Sequence, residues 1–194
     1  MTIDPARILE TERKTLRLQP DILPEGSRIL DVGGGGEGVI SALYGEKVVA
    51  IDIRLEELLE LGRSPSKKAV MDAANLACAA GWFDRASAFF TLMYLDAEEI
   101  CRVFAEVHRL LKVGGIFEIW DIEMPSRDEV EKDVFIAQLA VETPNETFTP
   151  GYGVGLRSAC QDMGWLSAKL RNAGFKLVRS ELQVNGLIYL RADK

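Results

Sequence analysis

The run Ile29-Leu30-Asp31-Val32-Gly33-Gly34-Gly35-Gly36-Glu37-Gly38 sets a carboxylate and a cluster of glycines at the end of an apolar stretch. Glycine lets the backbone turn tightly and come close to a bound molecule. A strand ending in such a turn lies at the carboxyl edge of a sheet, where open α/β sheets take their ligands. Two more carboxylates close apolar stretches of the same kind. Asp52 ends Val48-Val49-Ala50-Ile51, nineteen residues past Gly33. A carboxylate there can accept hydrogen bonds from both hydroxyls of a ribose. Asp72 follows Val70-Met71, and with the next backbone amide it offers an acceptor and a donor to the edge of an adenine. A helix N-cap is the plainer role for Asp72.

Two cofactor classes fit these residues. Gly33, Gly35 and Gly38 satisfy the dinucleotide spacing, which would make the chain a nicotinamide-dependent oxidoreductase. Asp31 argues against it, because its carboxylate would face a pyrophosphate at short range. S-adenosylmethionine has no phosphate and carries a sulfonium and an amino group, both positive. Asp52 suits either cofactor.

The surrounding elements alternate. Arg7 to Leu18 reads as a helix of weak periodicity, closed by Pro20 and Pro24. Strands are expected over Arg28–Val32, Lys47–Ile53, Lys68–Met71, Asp84–Phe90 and Ile116–Trp120, with short helices over Ser41–Tyr44 and Leu55–Leu61. The clearest helix is Asp96 to Lys112. Ile100, Val103, Phe104, Val107, Leu110 and Leu111 fall on one face. Asp96 and Glu99 form a capping box, and Gly114-Gly115 is the expected stop. A last helix, Ala159 to Ala173, stops at Gly174. It leads to a hairpin of Phe175–Val184 and Leu187–Leu190 around Asn185-Gly186. Alternation of Phe135, Ala137, Leu139 and Val141 with their neighbours, then a turn near Pro144-Asn145 and Thr147 to Val154, predicts an inserted β-hairpin. Strand–helix alternation implies right-handed crossovers and a mostly parallel sheet.

With these motifs in place the chain resembles the class I S-adenosylmethionine-dependent methyltransferases, particularly those acting on small molecules. The likeness rests on Ile29 to Gly35, Ala50-Ile51-Asp52, Phe83-Asp84-Arg85-Ala86-Ser87 and Glu106 to Gly115. It implies an α/β fold: a Rossmann-like, mostly parallel seven-stranded sheet flanked by helices, with a C-terminal antiparallel hairpin and an inserted hairpin near 134–155. One domain would span 1–194. It further implies that Asp31, Gly33 and Gly35 line the methionine part of the cofactor, with Gly34 also among the cofactor-binding residues. Asp52 would hold the ribose and Ile53 would pack on the adenine. Asp72 and Ala73 would reach the adenine edge, and Phe90 and Thr91 would lie near the methyl group. The sequence departs from the family where Glu37 takes the usual third glycine position and Gly38 follows one place later. His108 matches a position on the back of the sheet and is read as structural. Tyr94, Glu123 and Tyr152 are the substrate candidates, with Asp121 beside them. No catalytic residue is assigned, since in-line methyl transfer from a sulfonium mainly needs proximity and alignment. Residues 123–157 are expected to set acceptor specificity.

Composition narrows the partners. Thirty acidic against 23 basic residues give a net charge of −7, which disfavours nucleic acid. Apolar runs are too short to cross a bilayer, and Met1 to Glu10 has no signal-peptide core. Three widely spaced cysteines and a single histidine suggest neither a disulfide framework nor a metal site. A cytoplasmic protein acting on a small-molecule acceptor is the expectation. A protein acceptor, a non-catalytic cofactor-binding module or partner subunit, and a homodimer formed through the hairpin edge remain as alternatives.

Overall fold

The computed structural model describes residues 4–62, 64–183 and 185–194. Val184, at the end of an expected strand, falls outside them. Two short strands come first, β1 (Ile8–Glu10) and β2 (Lys14–Arg17). Alternation then begins with β3 (Ile29–Val32), α1 (Val39–Tyr44), β4 (Val48–Asp52), α2 (Leu55–Glu60) and β5 (Lys67–Val70). It continues with β6 (Phe83–Phe89), α3 (Ala97–Leu110) and β7 (Leu111–Ile122). After α4 (Arg127–Val130) come β8 (Val134–Glu142), β9 (Thr147–Phe148), β10 (Gly151–Gly155), α5 (Met163–Asn172), β11 (Lys176–Leu182) and β12 (Leu187–Asp193).

Seven strands form the main sheet in the order β11-β12-β7-β6-β3-β4-β5. The five strands from β7 to β5 are parallel; β12 and β11 run antiparallel. From β3 the chain steps outward through β4 to β5, then returns to the other side of β3 for β6 and β7. That reversal opens a crevice at the carboxyl ends of β3, β4 and β6.

Each strand presents alternate residues to the two faces of the sheet. On one face Leu30, Val32, Phe117 and Ile119 pack against Val103, Phe104 and Val107 of α3 and Leu166 of α5. On the other, Ile29, Val48 and Ala50 meet Val39 and Ile40 of α1 and Leu58 of α2. The same second core takes in Ala137, Leu139 and Val141 of β8.

Two expectations are corrected here. Arg7–Leu18 is not a helix: β1 and β2 both pair parallel with β8, in the registers Ile8↔Val134 and Lys14↔Leu139. Strand β8 has a buried face and needs a partner on each edge. β10 supplies one, antiparallel with Ala137 opposite Tyr152, and the N-terminal segment supplies the other. A second sheet of five strands results, with Leu16 and Leu18 buried against the shared core. The inserted hairpin is therefore part of a larger unit.

The other correction concerns α3. Its capping box forms as expected: the Asp96 carboxylate accepts from the Glu98 and Glu99 amides at 2.9 and 2.8 Å, and Glu99 accepts from the Asp96 amide at 2.7 Å. Gly114-Gly115 does not end it. The backbone is already extended at Leu111, which is fully buried and paired with Phe83. Gly114, at φ +76°, instead makes a bend within β7.

Candidate active site

A cleft of about 570 Å³ lies at the carboxyl ends of the parallel strands. The glycine run forms its floor, and each anchor there has a physical cause. The Gly34 amide donates to the Ile51 carbonyl (2.9 Å), and the Gly36 amide donates to the Glu57 carbonyl (2.8 Å). Gly33 has φ +66°, and a side chain on it would collide with Thr91, whose hydroxyl donates to the Val32 carbonyl at 2.9 Å. A Cβ on Gly35 would sit 2.5 Å from the Glu57 Cβ and 2.9 Å from Asp52 Oδ2. Gly38, at φ +64°, is the residue before α1, and a side chain there would overlap Leu61. The displaced glycine thus serves the entry into α1, and Glu37 lines the cleft.

At one end of the cleft stand Asp52, Ile53, Asp72 and Ala73. Asp52 Oδ1 accepts from the Arg54 amide at 2.9 Å, which orients the carboxylate and leaves Oδ2 beside Gly35. Ile53 is 69% exposed although apolar. Asp72 Oδ1 accepts from the Ala74 amide at 2.8 Å in a local turn, and no helix starts there for it to cap. Arg102 and Glu99 of α3 also line this cleft. Sequence reasoning did not find them as cleft residues, because Arg102 lies on the polar face of an amphipathic helix and Glu99 was read only as half of the capping box.

At the other end the lining is aromatic. Phe90 is buried in a left-handed conformation (φ +50°), and its amide donates to the Trp120 carbonyl at 2.8 Å. Its ring stacks on Tyr152 with centroids 5.1 Å apart and planes 10° from parallel. The Tyr152 hydroxyl donates to Glu37 Oε2 at 3.2 Å. Burial, then the nearby Glu37 charge, pushes the Tyr94 hydroxyl up to about 12. The same two causes raise Tyr152 further. Both tyrosines therefore remain protonated phenols at neutral pH.

Other sequence candidates lie away from the cleft lining. Asp31 is buried beneath the glycine turn, where a side chain on Gly34 would strike its carboxylate. It accepts from the Ser87 hydroxyl at 2.9 Å, and burial pushes its pKa up to about 7. Glu123 points instead toward the start of α5, where it accepts from the Met163 amide at 3.4 Å, and it does not line the cleft. Asp121 is fully buried, and that burial raises its pKa to about 7. His108 packs edge-to-face on Phe175 at 5.0 Å, on the α3–α5 side.

The strand order, the reversal at β3 and β6, and the glycine turn beneath the cleft define a nucleotide-type α/β enzyme fold. Comparison with known proteins specifies it. The methyltransferase domain family matches residues 30–119. A methyltransferase of Synechocystis sp., itself uncharacterized, is 28% identical over 92% of this chain and 82% of its own length. A solved S-adenosylmethionine-dependent methyltransferase from Methanosarcina mazei superposes with a TM-score of 0.63 at 22% identity, covering 89% of this chain and 94% of the other. A glycopeptide N-methyltransferase crystallised with S-adenosylhomocysteine superposes at 0.59 with 13% identity, over 88% of this chain and 84% of its own. The family match over residues 30–119 and these likenesses together support a class I S-adenosylmethionine-dependent methyltransferase over a nicotinamide-dependent oxidoreductase. Among the described residues no helix is long and apolar enough to cross a membrane.

Proposed function

We propose that the cofactor lies across the cleft with its adenosine against Ile53, Asp72 and Ala73, its ribose on Asp52, and its methionine part over Gly33 to Gly35. The observation that carries this is Asp52. One oxygen is held by the Arg54 amide and the other is turned to a position that only glycine leaves open. An exposed isoleucine beside it offers the apolar surface an adenine covers. Asp31 lies under the turn, where its charge would act on the cofactor's amino group through a short path. When bound, S-adenosylmethionine supplies an electrophilic methyl group on a good leaving group. The protein's part is to align an acceptor with it and to exclude water.

The methyl end then faces Phe90, Tyr94 and Tyr152, so the inserted hairpin forms one wall of the acceptor pocket. Its span and its enclosure between β10 and the glycine turn favour a small molecule over a folded protein. Both sheets share one apolar core, which supports a single folding unit. Three unpaired cysteines, Cys78, Cys101 and Cys160, favour a reducing compartment such as the cytoplasm.

Titration calorimetry with S-adenosylmethionine, S-adenosylhomocysteine and NAD tests the reading. Both adenosyl compounds are expected to bind, and NAD is not. Replacing Tyr152 by Ala should leave S-adenosylhomocysteine binding within a few-fold while methyl transfer is lost. Transfer at the wild-type rate would place the acceptor elsewhere.

A further inference from the structure

The two ends of the cleft differ in charge. Among the described residues its two basic side chains are Arg54, paired with Glu57 beside the proposed ribose site, and Arg102, paired with Glu98 on α3. At the methyl end Glu37 is the lining carboxylate bonded to the aromatic group, through the Tyr152 hydroxyl, and its charge is the strongest felt by Tyr94; Glu57, also in the lining, is paired with Arg54. Among the described residues no histidine, lysine or cysteine lines the cleft.

This arrangement restricts the acceptor atom. An alcohol, a phenol or a carbon acid must lose a proton to become a good nucleophile, and that calls for a base matched to it. The two tyrosines remain protonated, and a carboxylate is far too weak a base for an alcohol. A carboxylate acceptor would meet Glu37 with like charge. An amine needs no deprotonation once its neutral form has bound. Aromatic faces and a carboxylate also attract a cation.

We propose that the acceptor is a small amine whose nitrogen lies between Glu37, Tyr94 and Tyr152. This rests on the cofactor placement given above. The nitrogen lone pair forms the new N–C bond as the C–S bond breaks, and the C–S electron pair stays on sulfur. The positive charge passes from sulfur to nitrogen, where Glu37 and the ring faces stabilise it. The surplus proton on the product ammonium leaves afterwards to water. Glu37 therefore has a task that the usual glycine at its position could not perform.

A matched pair of probes tests the inference without knowledge of the natural acceptor. Choline and 3,3-dimethylbutan-1-ol have the same shape, and only choline is charged. Each is titrated into protein saturated with S-adenosylhomocysteine, wild type and Glu37→Gln, after adenosyl binding has been measured for both. Choline should bind wild type about tenfold more tightly than the alcohol. In Glu37→Gln the preference should fall to about threefold or less. Equal binding of the pair, no binding of either, or a preference unchanged in Glu37→Gln overturns the amine acceptor while leaving the cofactor site intact. Failure of wild type to bind S-adenosylhomocysteine removes the cofactor placement, and this inference with it.

Discussion

Asp31 is ionisable where ionisation is costly. In the empty protein burial raises its pKa from 3.8 to about 7, and the Ser87 hydroxyl offsets this only in part. If the cofactor's ammonium is neutralised by Asp31, binding requires the ionised form. Affinity for S-adenosylhomocysteine should then be flat above pH 7 and fall by up to about tenfold per pH unit below it. Calorimetry across pH 5.5–8 checks this, and Asp31→Asn should abolish the dependence. Asp52 differs, since it is half-exposed and already oriented. Asp52→Ala should weaken S-adenosylhomocysteine binding by about 1.5–3 kcal/mol for each charge-assisted bond lost, with the fold unchanged by circular dichroism. A third residue-level outcome concerns stability alone. Arg85 and Glu118 are 2.8 Å apart with side chains 6% and 7% exposed, and the Tyr189 hydroxyl donates to Glu118 at 2.6 Å. Arg85→Met would leave that carboxylate buried with only Arg191, at 3.9 Å, for a cation. Urea denaturation should register a loss of about 3–5 kcal/mol.

Elements differ in how far they could be read from sequence. Helix α3 was legible because its information is local: an apolar stripe at helical spacing and a cap three residues long. Strands β3 and β4 were legible because each is a short apolar run that leads into a glycine turn or ends in a carboxylate. The N-terminal strands were not, since what makes Ile8–Glu10 and Lys14–Arg17 extended is β8, more than a hundred residues away. The end of α3 was misplaced for a related reason. Leu111 continues the helical stripe, yet the sheet takes it as a strand residue opposite Phe83. Of the cleft lining, Gly33, Gly35, Asp52, Asp72 and Tyr152 could be picked out by position relative to strand ends and the hairpin. The contact between Tyr152 and Glu37 was not, because it joins residues brought together only when the second sheet docks on the first. Two substitutions test these elements. Gly35→Ala places a methyl group 2.5 Å from Glu57 and 2.9 Å from Asp52, so α2 must shift. Cofactor binding should fall at least as far as in Asp52→Ala. Truncation of residues 1–18 should uncover the edge of β8 and its apolar neighbours, and gel filtration should then show aggregation.

At the scale of the molecule, two buried carboxyls set an unusual response to pH. Asp31 and Asp121 both have pKa values near 7 when folded, against 3.8 when unfolded. Between those values the native state holds protons the unfolded chain has released, so stability falls as pH rises through the window. Asp133, held down to about 2 by Arg7, has finished titrating below it. His108, lowered by burial, opposes the trend with one group against two. The melting temperature of the empty protein should therefore decline from pH 5.5 to 7.5, and Asp31→Asn should remove about half of that slope. The main sheet and the second sheet together enclose the cleft, and the proposed placement sets the cofactor at the crevice with its methyl end toward the second sheet. A crystal structure of the S-adenosylhomocysteine complex tests it most directly. The account predicts both ribose hydroxyls on Asp52, the adenine over Ile53 and the sulfur facing Phe90, Tyr94 and Tyr152. Ribose hydroxyls away from Asp52, or a sulfur turned from the aromatic end, would contradict it.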